Sequence, residues 1–136
     1  MRIMALDHIV LTVTDMDAAV RFYCEVLGME EVVFGGGRRA LRFGSQKINL
    51  HPPGHDYAPV AERPAPGSAD LCFLVASLDA AIAALEAAGV GIEEGPVSRT
   101  GALSPLRSIY IRDPEGNLVE LSEPQNVVLA GSGDRG

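Results

Sequence analysis

The chain has no tryptophan, four phenylalanines, three tyrosines and two cysteines among its 136 residues. So few rings leave little material for an aromatic-lined groove that would sequester a flat drug. Cys24 and Cys72 make no disulfide framework, and a reducing cytoplasm is the expected home. Basic residues are also scarce, eleven against eighteen acidic ones, for a net charge of −7. A surface that negative repels phosphate backbones, so no nucleic acid is expected as a partner. No apolar run approaches the roughly 18–20 residues that cross a bilayer, so no membrane is expected either. The N-terminus lacks the basic, apolar, small-residue order of a signal peptide. The length excludes a multidomain enzyme.

What is present is a repeat. Asp7-His8-Ile9-Val10-Leu11-Thr12-Val13 leads into Thr14-Asp15-Met16-Asp17-Ala18-Ala19-Val20. Sixty-two positions later, Ala69-Asp70-Leu71-Cys72-Phe73-Leu74-Val75 leads into Ala76-Ser77-Leu78-Asp79-Ala80-Ala81-Ile82. Each is an apolar strand followed by a helix, with Asp15 or Ser77 at the N-cap and Gly28 or Gly89 ending the helix. Three strands then follow in each half. They are expected at Glu31–Phe34, Arg39–Phe43 and Lys47–His51, and again at Gly91–Glu93, Leu106–Arg112 and Asn117–Ser122. Gly35-Gly36-Gly37 and Asp113-Pro114-Glu115-Gly116 read as hairpin turns.

The expected fold is α+β: two β-α-β-β-β modules whose curved mixed sheets enclose a metal-site cavity. One domain is expected over residues 1–123, with module one at about 3–51 and module two at about 68–123. A proline-rich linker, 52–67, joins them, and 124–136 forms a flexible tail. A half this short cannot bury both faces of its sheet alone, so a homodimer is expected.

Polar residues inside apolar strands carry the functional information, because burial without a partner costs several kcal/mol. His8 and Asp70 occupy equivalent positions in the two opening strands. Superposing Asn49-Leu50-His51 on Leu118-Val119-Glu120 pairs His51 with Glu120 in the two closing strands. Two imidazoles and two carboxylates at repeat-related positions make a divalent-metal site for Mn, Fe, Ni or Zn. Arg99, Arg107 and Arg112 read as solvated surface, Cys72 as a small apolar filler and His55 as a loop residue.

Leu6–Val13, Asp17–Tyr23, Leu27-Gly28, Phe43–His51 and Arg112–Glu120 together resemble the vicinal oxygen chelate superfamily. That superfamily includes glyoxalase I, extradiol dioxygenases, and bleomycin- and fosfomycin-resistance proteins. The resemblance covers about residues 3–123. Pro66–Phe73 and Glu93–Val97 look like glyoxalase-domain-containing proteins of the human type and their bacterial virulence-associated relatives. It implies His8, His51, Asp70 and Glu120 as metal ligands. Asp70 departs from the usual histidine or glutamine and favours harder ions such as Mn or Fe. It further implies a metal-dependent lyase or isomerase acting on a small oxygen-chelating substrate, with Glu120 moving the proton. An extradiol dioxygenase and a non-catalytic drug-binding resistance protein are the alternatives.

Overall fold

A computed structural model describes residues 1–126. The chain runs β1 (His8–Thr12), α1 (Met16–Arg21), β2 (Glu30–Phe34), β3 (Arg38–Phe43) and β4 (Gln46–His51). It then repeats the pattern with β5 (Asp70–Leu74), α2 (Leu78–Ala88), β6 (Glu94–Thr100), β7 (Pro105–Arg112) and β8 (Leu118–Pro124). The strands form two four-stranded mixed sheets, ordered β1-β4-β3-β2 and β5-β8-β7-β6. In each, the opening strand lies parallel to the closing one and the other pairs are antiparallel. The expected α+β class with two repeated modules holds.

Both helices start as their sequences require. Asp15 accepts from the Ala18 amide at 3.0 Å, and Ser77 Oγ accepts from the Ala80 amide at 3.1 Å. The first helix continues beyond Arg21 as a wider π turn over Phe22–Val26, a change that its apolar stripe did not reveal. The second strand of the second half also differs from expectation. It covers Glu94–Thr100 rather than Gly91–Glu93, joining β7 through a register shift between Glu94 and Val97. At Gly95, φ is +106°, and a Cβ would lie 2.5 Å from the Ser108 carbonyl oxygen, so only glycine fits that shift.

Period-2 alternation sorts each sheet into two faces. In the first sheet Leu11, Leu41, Ile48 and Leu50 are buried, as are Ala19 and Tyr23 of the helical segment. In the second, Ile109, Ile111, Val119 and Leu121 are buried, as are Leu78 and Leu85 of α2. The chain divides into two compact units. One is Met1–Ala69 together with the turn Asp113–Asn117, and the other is Asp70–Arg112 together with the chain from Leu118. Within the first unit, Tyr23 donates its hydroxyl to Asp113 at 2.6 Å in a buried bond. Asp113 also accepts from the amides of Glu115 and Asn117. Of the expected tail, Pro124 closes β8, and residues from 127 lie outside the described part.

Candidate functional site

The face of the first sheet opposite its buried apolar layer carries His8, Val10 and Thr12 of β1 beside Lys47, Asn49 and His51 of β4. Ala40 and Arg42 of β3 continue it. His8 is the partner of Lys47, whereas His51 is the partner of Thr12. The two imidazoles therefore stand four residues apart along the strands, about 13 Å at the usual rise. The first unit does not bring them together.

Their surroundings differ as well. His8 is exposed, with Nδ1 2.8 Å from Asp7 Oδ2, the carboxylate support that orients many metal-binding imidazoles. His51 is buried, and its Nε2 lies 3.3 Å from Arg38 Nη2. Its ring sits 4.7 Å from that of His55 and 4.9 Å from that of Tyr57. Burial, then His55 and Arg38, hold its pKa below the ordinary histidine value. A guanidinium this close to Nε2 places positive charge where a cation bound at that nitrogen would sit.

The register also corrects the repeat. His8 pairs with Lys47 as Asp70 pairs with Leu118. Asn49 is therefore the counterpart of Glu120, and His51 is the counterpart of Ser122. A slip of two residues leaves every side chain on its own face, so alternation alone is silent about it.

In the second unit, Asp70, Cys72 and Leu74 of β5 share a face with Leu118, Glu120 and Ser122 of β8. Ser108, Tyr110 and Arg112 of β7 lie on the same face. Cys72 is directly opposite Glu120, and Asp70 is its diagonal neighbour, roughly 7–8 Å away. Ser122 Oγ donates to Glu120 Oε2 at 3.0 Å, lies 2.7 Å from Ser108 Oγ and is 3.3 Å from Cys72 Sγ. Burial, opposed by Ser122 and reinforced by Glu120 and Asp70, pushes the Cys72 thiol pKa up. The thiol is thus a weak nucleophile. Arg99 Nε donates to the Tyr110 hydroxyl at 2.9 Å, and Arg99 Nη2 donates to Glu94 at 2.9 Å. A cavity of about 590 Å³ opens here, lined by Glu120, Cys72 and Arg99 with Leu74, Leu103 and Leu106.

A second cavity, of about 540 Å³, runs along β1 in the first unit. Thr12, His51, Val60, Arg63, Ser68 and Asn117 are among the residues lining it. The connector 52–67 is therefore part of a cavity wall, not simply an extended spacer.

Among the described residues, no three histidine, cysteine, aspartate or glutamate side chains form a cluster suited to a metal ion. Arg38, Asn49 and Tyr57 join the site only through the fold. Asn49, a polar residue amid the apolar closing strand, was the available signal. Arg99, read as solvated surface, lines a cavity. Arg107 and Arg112 turn to Asp79 and Glu93.

A family model described as the Glyoxalase/Bleomycin resistance protein/Dioxygenase superfamily matches residues 5–121. Virulence protein STM3117 of Salmonella typhimurium is 52% identical over 119 residues, covering 87% of this chain and 83% of that protein. Its crystal structure superposes with a TM-score of 0.90, covering 92% of this chain and all 100% of that one. Glyoxalase domain-containing protein RDO1 of Mycosarcoma maydis is 53% identical over 123 residues, covering 90% of this chain and 69% of that protein. A lactoylglutathione lyase from Agrobacterium tumefaciens is 30% identical with a TM-score of 0.68, covering 88% of this chain and 92% of that one.

Proposed function

We propose that this chain, which belongs to the Glyoxalase/Bleomycin resistance protein/Dioxygenase superfamily, is a lyase or isomerase acting on a small oxygen-chelating molecule. The observation that supports this most directly is Glu120 on the wall of the 590 Å³ cavity. Ser122 donates to one of its oxygens, holding the carboxylate in place where it can take and return a substrate proton. Arg99, anchored on Tyr110 and Glu94, supplies positive charge to the same wall, where an oxyanion develops as the proton leaves. Leu74, Leu103 and Leu106 add apolar surface to the same wall, on which the carbon part of a substrate can rest.

The superfamily implies a divalent ion, and the residues fit one unevenly. Asp70 and Glu120 share a face, and His8 has the carboxylate-supported ring of a ligand, but His51 is taken by Arg38. We assign the ion to Asp70 and Glu120, with His8 from a second copy in a homodimer. Two carboxylates and one imidazole suit Mn or Fe better than Zn or Ni. When bound, the ion supplies Lewis acidity toward two adjacent substrate oxygens.

The test is a turnover screen of methylglyoxal–thiol adducts, catechols and fosfomycin with added Mn, Fe, Ni or Zn. Glu120→Gln is expected to lower the responding activity by at least about a hundredfold while the chain stays folded. Metal analysis after chelator-free purification is expected to show losses in His8→Ala and Asp70→Asn but not in His51→Gln. Undiminished turnover in Glu120→Gln, or no turnover of any compound, overturns the catalytic reading.

A further inference from the structure

The first unit carries a second arrangement, and Glu120 plays no part in it. Arg38 lies with its guanidinium carbon 4.2 Å from the centre of the Tyr57 ring and 5.2 Å from that of Phe34. Lys47 Nζ sits 3.9 Å from the centre of the same Phe34 ring. Arg42, the other cation of this face, is matched by Glu30. Among the described residues, no carboxylate lies within ion-pair distance of Arg38 or Lys47. Two uncompensated cations held on aromatic supports are unusual on a chain of net charge −7. Two residues beyond Lys47 on β4, beside the strand that carries Arg38, lies Asn49, only 7% exposed, whose Oδ1 has no hydrogen-bond partner. Arg38 Nε is likewise buried and unpartnered. Buried polar atoms are rarely left unpaired, and two on neighbouring strands of one face indicate a missing polar partner.

We propose that this face binds a small acidic molecule, its carboxylate or phosphate oxygens received by Arg38 and Lys47 with Asn49 beneath. Phe34 and Tyr57 fix the guanidinium, and an anionic oxygen that displaces the 3.3 Å contact with His51 gains its charge-assisted donors, which lysine cannot present in the same fork. Asn49 adds a contact that a hydroxyl next to the acid group satisfies. The site rests on binding alone and stands whether or not Glu120 is catalytic.

Titration of the ¹⁵N-labelled full chain tests it, following the Arg38 Nε–H signal with glycolate, acetate, inorganic phosphate and uncharged propane-1,2-diol. Saturable shifts with the anions and none with the diol are expected. Arg38→Met, followed through the backbone amide of Asn49, is expected to weaken binding at least about tenfold and Lys47→Met about threefold. Arg38→Lys, which keeps the charge and is the safer variant for folding, is expected to fall between. Asn49→Ala is expected to abolish any preference for glycolate over acetate. Tighter glycolate than phosphate assigns a carboxylate ligand, and the reverse assigns a phosphate. Either order supports the site. No saturable shift by any anion up to about 50 mM, or equal affinity in Arg38→Met and Lys47→Met, overturns it.

Discussion

His51 shows how far one residue's role depends on its neighbours. As a histidine ending a strand it looks like a ligand, yet burial and the adjacent Arg38 and His55 make the neutral ring its favoured form. That has a consequence for stability. Above pH 6.5, the ordinary value, the ring is neutral in both folded and unfolded chains and adds no pH dependence. Below it the unfolded chain takes up the proton first, because the folded pKa is depressed. Stability is therefore expected to fall as pH drops from about 6.5 through the folded value, and to level off beneath it. Urea midpoints measured from about pH 7.5 to 5 should decline more steeply for the natural chain than for His51→Gln. Parallel curves would falsify this account. Asn49 teaches the complementary lesson: an uncharged residue passed over in the sequence holds one of two unpartnered buried side-chain atoms among the described residues.

Among the elements, the turn between β7 and β8 does more than reverse the chain. Its Glu115 carboxylate accepts from the Thr14 amide at 2.9 Å, the Thr14 hydroxyl at 2.8 Å and the Asp15 amide at 3.1 Å. These groups lead into α1, and the amides of its N-cap and of the residue before it have no acceptor within the helix. Asp15 serves the Ala18 amide, so two carboxylates from distant parts of the sequence share the start of one short helix. Glu115→Gln presents an NH₂ group where an acceptor is needed and is expected to cost about 1–2 kcal/mol. A lower urea midpoint with an unchanged slope is the expected signature, against no change for the exposed control Glu62→Gln. The turn itself was legible in Asp-Pro-Glu-Gly, because proline and glycine impose backbone angles locally. Its capping of α1 was not, because residues a hundred positions apart meet only through folding.

At the scale of the whole molecule, β1 ends one sheet and β5 ends the other. Met1, Ile3, Met4, Leu6 and Val10 are exposed along the first of these, and Leu74 along the second. Apolar side chains beside a sheet edge favour association with another copy. Light scattering at micromolar concentration is expected to give twice the chain mass, and Val10→Asp combined with Leu6→Asp is expected to return it to one. A single-chain mass for the natural protein would contradict the homodimer. The two β-α-β-β-β modules, both helix caps and the sharing of faces along each strand were determined by the sequence itself. Each follows from spacing of two or 3.6 residues, from glycine at positive φ, or from a polar cap, all of which act over a few positions. Tertiary structure alone decided which partner each strand residue meets. Moving β4 by two residues past β1 keeps every side chain on its face, so no periodicity distinguishes Asn49 from His51 as the counterpart of Glu120. It likewise decided that Arg38 claims His51 and that Arg99 turns to a cavity. Those outcomes rest on contacts between strands, and the order of residues along one strand does not contain them.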